Sequence, residues 1–272
     1  MTDSPATGLF VSGGSVPGPA TTHVRLAGLA VRSEPQPVPR LPRSAEELPR
    51  MPLAVRDLLR PALLATAEAA VAEAGLSPDE VRNMGCVTAS DGATAATGTY
   101  IAQVLAGPGP RWLAPECFLH YSPHTLTGEL CIALRLDGCA VTLTGAAAGV
   151  DALGYAALMV RSGRCRSVLV AAAYWPQPAT VDDESVPLLT TAAAILGGGG
   201  TVGGWGGVTG WRPGGGHPAV RRDDTASSTG GRGTDVTAPF AALAGWRSSR
   251  PARAMELDCG GSRLTAVAGE RT

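Results

Sequence analysis

Thr144-Gly145-Ala146-Ala147-Ala148-Gly149-Val150-Asp151-Ala152-Leu153 is the stretch whose reading decides the fold. An apolar strand over Ala140–Thr144 runs into a turn of small residues, and a helix over Gly149–Gly163 starts at once. A strand-to-helix turn of this kind exposes one side chain, and the helix N-terminus aims unpaired backbone N–H groups at it. Nucleophiles are mounted in such places. The side chains present here are methyl groups, which attack nothing. Close packing of two elements is the alternative use of three successive alanines.

Working outward, Arg166–Ala173 reads as a buried strand and Gly85–Ala89 as another. Val24–Val31 predicts a first strand, with two more at Thr191–Leu196 and near Val202–Trp211. Leu58, Leu59, Leu63, Leu64, Ala67 and Val71 recur at helical spacing, so Leu53–Gly75 predicts a helix that Gly75 ends and Pro61 kinks or restarts. Ser77-Pro78-Asp79-Glu80 is a helix N-cap signature, and Ala93–Ala106 predicts a further helix. Strands alternating with helices predict a mostly parallel sheet with helices on both faces, a layered α/β/α sandwich.

The ordered series resembles the β-ketoacyl synthases, condensing enzymes of the thiolase fold. Their nucleophile turn reads roughly Thr-Ala-Cys-Ala-Ser-Gly, and aligning Gly149-Val150-Asp151-Ala152-Leu153 on the family's Gly-x-x-Ala-Leu puts Ala146 at the Cys position. Upstream, Ser122–Gly138 is similar to the family's Asn-x-x-Ala-Gly-x-x-Ser-Ile segment, with His124 near its Asn. Downstream, Met159-Val160-Arg161-Ser162-Gly163 matches its Ile-Arg-Ser-Gly helix end. The resemblance runs over about residues 22–211. The family's second half carries two essential histidines, one of them after a lysine. This chain has no lysine, and its four histidines (His23, His120, His124, His217) lie in neither context. Ala238-Pro239-Phe240 stands where one of those histidines is needed, and Glu256–Ala268 resembles the family's final Gly-rich hairpin. The expected organisation is therefore a flexible N-terminus (1–21), a β-ketoacyl-synthase-like domain (22–212), a disordered Gly/Ser-rich loop (213–234) and a remnant of the C-terminal half (235–272), with much of the second half lost.

The resemblance implies a degenerate condensing enzyme: a chain-length-factor-like subunit that pairs with an active β-ketoacyl synthase in type II polyketide, polyene or fatty-acid-like biosynthesis and shapes its acyl tunnel. The family dimerises across the strand before the turn, so Val141, Leu143, Thr144, Ala147 and His124 are the expected interface or tunnel residues. Arg161, Arg164 and Arg166 are a candidate contact for an acyl carrier protein; the helix dipole alone also accounts for them. Two other readings stand beside this one. The chain is an independent acyltransferase or hydrolase with another nucleophile, such as Cys117 (or Cys131), or it is a decayed inactive paralogue.

Composition narrows the remaining classes. The formal net charge is −1, which gives no electrostatic ground for binding nucleic acid. No apolar run reaches the ~18 residues of a membrane span. The N-terminal residues lack a basic segment followed by an apolar core, which predicts a cytoplasmic protein without a signal peptide. Six cysteines without a Cys-x-x-Cys pair read as reduced thiols. His120 and His124 are four apart, but Pro123 interrupts a shared helix and no third ligand is near, so no metal site is expected. Gly197–Gly200 lacks the Gly-Lys-Ser/Thr ending of a phosphate loop. No cofactor is expected.

Overall fold

The computed structural model describes residues 24–36, 53–91, 95–113, 115–175, 186–199, 204–214, 235–249, 254–259 and 261–268. The N-terminal segment, the proline-rich stretch after Gln36, nearly all of the 213–234 loop and the acidic run Asp182–Glu184 lie outside the described residues.

Among the described residues, eight strands form one sheet: β1 (Val24–Pro35), β2 (Gly85–Ser90), β3 (Ala140–Thr144), β4 (Ser167–Tyr174), β5 (Leu188–Gly198), β6 (Gly206–Arg212), β7 (Ala254–Cys259) and β8 (Ser262–Ala268), in the order β3-β2-β4-β5-β1-β6-β8-β7. Among the described residues, the α-helices that accompany them are α1 (Leu53–Ala74), α2 (Pro78–Arg82), α3 (Ala95–Ala106), α4 (Glu116–Tyr121), α5 (His124–Leu134), α6 (Ala148–Arg161) and α7 (Ala238–Ser249).

The expected mostly parallel sheet is corrected here. Only β3-β2-β4 is parallel; β4-β5, β5-β1, β1-β6, β6-β8 and β8-β7 are antiparallel. A parallel neighbour needs a long crossover. Helical crossovers stand between β2 and β3 (α3 to α5) and between β3 and β4 (α6). Residues 260–261 allow only a tight hairpin between β7 and β8, and β1 inserts between β5 and β6 from the start of the chain.

The layers follow from the period-two pattern of β4 and β5, which are apolar on both faces as buried strands are. Leu169, Ala171, Ala193 and Ile195 face α1 and α5, packing with Leu63, Ala67, Leu126 and Leu130. Val168, Val170, Ala194 and Leu196 face α6 and α7, packing with Leu153, Ala156, Phe240 and Leu243. The α/β/α sandwich is thereby realised.

Local signals explain the helix bounds. Helix α1 runs through Pro61, and Gly75 follows its last residue at φ +64°, a left-handed conformation that glycine adopts without strain. Helix α2 opens on a capping box: the Ser77 hydroxyl accepts from the Glu80 N–H and a Glu80 carboxylate oxygen accepts from the Ser77 N–H at 2.8 Å. Pro123 does separate α4 from α5, as the sequence implied.

Helix α6 is the hub. It touches all eight strands. A flat eight-stranded sheet would be about 34 Å wide, far more than the ~10–12 Å diameter of one helix. The sheet therefore curls around α6, which brings its edge strands β3 and β7 toward the same end of that helix.

Candidate functional site

The turn that closes β3 and opens α6 sits where those two edges meet. Gly145 takes φ +101°, which turns the chain out of the strand and leaves Ala146 exposed. Ala147 is the N-cap of α6 and supplies no side-chain cap. The geometry expected of a nucleophile mount is present, and its outward side chain is a methyl.

A thiol reaches this turn from a distant part of the chain. Cys259, the last residue of β7, donates its S–H to the Ala146 carbonyl at 3.1 Å. Burial pushes this thiol's pKa up, and the carboxylates of Asp258, Asp151 and Asp235 push it further the same way. Thiolate is the nucleophilic form, so these surroundings disfavour the nucleophilic state of Cys259. Asp151 is held on α6 by the Trp211 indole N–H at 3.2 Å, and Asp235 is occupied by the Thr237 N–H at 2.8 Å. The sequence reading missed Cys259 and Asp235. Their signal was weak: a Cys-Gly-Gly hairpin turn at 259–261 that lies more than a hundred residues from the turn it touches.

The residues expected to line an interface fall into two sets. Val141 and Leu143 share one face of β3 and pack, half-buried, against the α6 core, so neither points its side chain away from the chain's own interior. Thr142 points to the other face. There Thr88, Thr127 and Thr142 join hydroxyl to hydroxyl, with Thr88–Thr127 and Thr127–Thr142 both at 2.5 Å, and the exposed His124 bonds Thr142 Oγ1 through Nδ1 at 2.9 Å. Thr144 is exposed and Ala147 half-exposed. The β3 strand itself is an edge, with β2 as its one neighbour in the sheet. Phe118, Leu119 and Tyr121 of α4, and Ile132 of α5, which packs beside β3, are large apolar side chains left exposed.

The alternative nucleophiles fare differently. Cys117 is fully buried and packs with Tyr100 and Val104, out of reach of any substrate. The side chain of His120, its local base candidate, lies outside the described residues. Cys131 is half-buried, and a hydrogen bond from the Cys86 thiol draws its pKa down while burial opposes; Cys86, the donor, is pushed up. Arg161, Arg164 and Arg166 are all exposed at the far end of α6, about 20 Å along the helix from Ala146 at ~1.5 Å per residue. Among the described residues no group of three or more His, Cys, Asp or Glu side chains is placed to hold a metal ion, and no helix is long and apolar enough to cross a membrane. A cavity between α1 and α5, lined by Leu63, Leu64, Leu126 and Leu130, has room for about 10 Å³, too little for an acyl chain.

Residues 48–180 match the family model for the β-ketoacyl synthase N-terminal domain. Among solved structures, a chain of the ketosynthase (ApeO) in complex with its chain length factor (ApeC) from Xenorhabdus doucetiae is 11% identical, with a TM-score of 0.53; the match covers 90% of this chain and 99% of that one. The ishigamide ketosynthase/chain length factor is 19% identical at a TM-score of 0.49. A type II polyketide synthase complex, AntDE:AntF, with its ketosynthase bound to a hexaketide, is 16% identical at 0.47. For each of these last two, 66% of this chain matches 59% of the other, so the chain spans well under two thirds of their length. No curated protein matches. The family model takes in the strand–turn–helix around Ala146 and its flanking strands, just under half of the chain, and the fold around them is that of the ketosynthase structures.

Proposed function

We propose that this chain is a non-catalytic, chain-length-factor-like subunit that pairs with an active β-ketoacyl synthase in type II polyketide, polyene or fatty-acid-like biosynthesis. The observation that carries the reading is the exposed methyl of Ala146 on an otherwise intact nucleophile turn, where the neighbouring Cys259 thiol is disfavoured as thiolate. Condensation needs an acylated nucleophile, and the methyl at position 146 offers none. The open β3 edge and the exposed apolar residues on α4 and α5 favour a protein partner, because such surface is costly to leave in water. On this reading the acyl tunnel is completed with the partner. Arg161, Arg164 and Arg166 supply the positive charge an acidic carrier protein would meet. Work in the cytoplasm, beside the synthase, belongs to the same proposal.

The independent-enzyme reading loses its leading nucleophile to the burial of Cys117. Co-expression with a catalytic β-ketoacyl synthase, followed by size-exclusion chromatography and a condensation assay with malonyl-loaded carrier protein, tests the proposal. The expected result is one-to-one co-elution, a product length set by this chain's presence, and no β-ketoacyl product from this chain alone. Condensation by the isolated chain, or a homodimer that ignores the synthase, would overturn it.

A further inference from the structure

Three sulfurs meet at the base of β2, β3 and β4. Cys139 precedes β3 and Cys165 precedes β4, the two strands that flank β2 in parallel. Their Sγ atoms are 3.1 Å apart, and Cys139 Sγ lies 3.9 Å from Met159 Sδ of α6. What permits the approach is Gly85, the first residue of β2. A Cβ there would sit 2.9 Å from Cys165 Sγ and 3.0 Å from Cys139 Sγ, so any larger residue would push the sulfurs apart. Neither thiol belongs to the Ala146 turn.

We propose that Cys139 and Cys165 form a peroxide-oxidisable dithiol that closes to an intramolecular disulfide linking the foot of the β3 edge strand to the loop after α6. An S–S bond is about 2.05 Å long, so the sulfurs must close by about 1 Å. Cys139 is the exposed member and meets the oxidant first. Its thiolate attacks one oxygen of hydrogen peroxide; the O–O bond breaks, the second oxygen leaves as hydroxide and is protonated to water, and Cys139 becomes a sulfenic acid. The Cys165 thiolate then attacks that sulfur, the S–O bond breaks, and hydroxide leaves as a second water. Two thiols are oxidised and one peroxide is reduced. Burial, with a hydrogen bond donated to Cys165 behind it, pushes the Cys139 thiol up to about 11, so the first step is slow at neutral pH and speeds up as pH rises toward that value. Arg164 and Arg166 flank Cys165, so closure also fixes the backbone that presents them.

The test treats the native full-length protein with hydrogen peroxide, alkylates free thiols before unfolding, and maps peptides by mass. The expected result is a cross-linked pair carrying Cys139 and Cys165, lighter by two hydrogens than the two thiol peptides and reversed by a dithiol reductant, with a yield that rises between pH 7 and pH 9. Cys139→Ser and Cys165→Ser should each abolish it. Gly85→Ala, which keeps both thiols, should lower the yield several-fold. Both cysteines recovered alkylated, Cys139 recovered only as sulfinic acid, or Cys139 linked to another cysteine or to a second copy would each overturn the proposal.

Discussion

Gly154 lies at the middle of α6, and replacing it with alanine sets two opposing effects against each other. In an open helix the change is favourable: glycine costs about 0.8–1.0 kcal/mol relative to alanine. At Gly154 the new Cβ would sit 2.1 Å from Trp211 Cγ, with the neighbouring ring carbons at 2.2 and 2.3 Å. Ordinary contact begins near 3.4 Å, so the ring must retreat by more than an ångström. Overpacking of that kind costs about 1–3 kcal/mol. The retreat also breaks the indole N–H bond to Asp151, and a bond to a charged acceptor is worth about 1.5–3 kcal/mol. After subtracting the helix gain, a net loss centred near ~3 kcal/mol remains, or roughly 6–12 °C in Tm. Gly245 of α7 and Gly128 of α5 are the controls, since a Cβ at either meets nothing within 4 Å. Gly245→Ala and Gly128→Ala should each raise Tm by about 2–4 °C. Thermal unfolding followed by far-UV circular dichroism and by tryptophan emission decides the matter. A Gly154→Ala protein that melts at or above the Gly245→Ala protein would refute the packing of Trp211 against α6.

Two further outcomes follow from particular contacts. The Ser77 hydroxyl and then the Ser77 N–H hold the Glu80 carboxyl below the ordinary glutamate range, so this end of α2 is most stable above about pH 4.3 and loses that support as pH falls through the lowered pKa; the Ser77 amide resonance should titrate with Glu80, and in Ser77→Ala the Glu80 titration should return toward ordinary values. For the proposed pairing, Thr144→Pro should abolish co-elution with the synthase while leaving Tm within a few degrees, because the ladder set by the Cys86 N–H bond to the Cys139 carbonyl turns the N–H of Thr144 toward the open edge, where proline is tolerated; undiminished co-elution of this variant would remove β3 from the interface.

How much of this was legible in the sequence depended on range. The Ser77 cap, the end of α1 at Gly75, the break at Pro123 and the strand–turn–helix around Ala146 are set by neighbours within a few residues, and each is found where it was expected. Val141 and Leu143 were expected at the interface, and that both pack toward α6 depended on that helix lying beneath β3, which no local signal gives. The antiparallel half of the sheet was not legible, because the insertion of β1 between β5 and β6 leaves no local trace. The threonine cluster draws on β2, α5 and β3, and the Cys139–Cys165 contact on two loops and the missing side chain of Gly85. In each case residue types ordinary in isolation become informative only through their placement.

The turn around Ala146 is held by packing and not by chemistry. Gly145 turns the chain at φ +101°, and Gly149 lets the Val236 carbonyl approach to where a Cβ would be only 2.1 Å away. Gly154 admits the Trp211 ring, and the Cys259 thiol bonds the Ala146 carbonyl. None of these contacts involves the side chain at position 146. A substitution at that position therefore leaves the strand, the turn and the helix in place, along with the β3 edge that leads into them. On the proposed reading, this independence of shape from nucleophile lets the chain keep the pairing edge while its turn carries a methyl in place of a nucleophile.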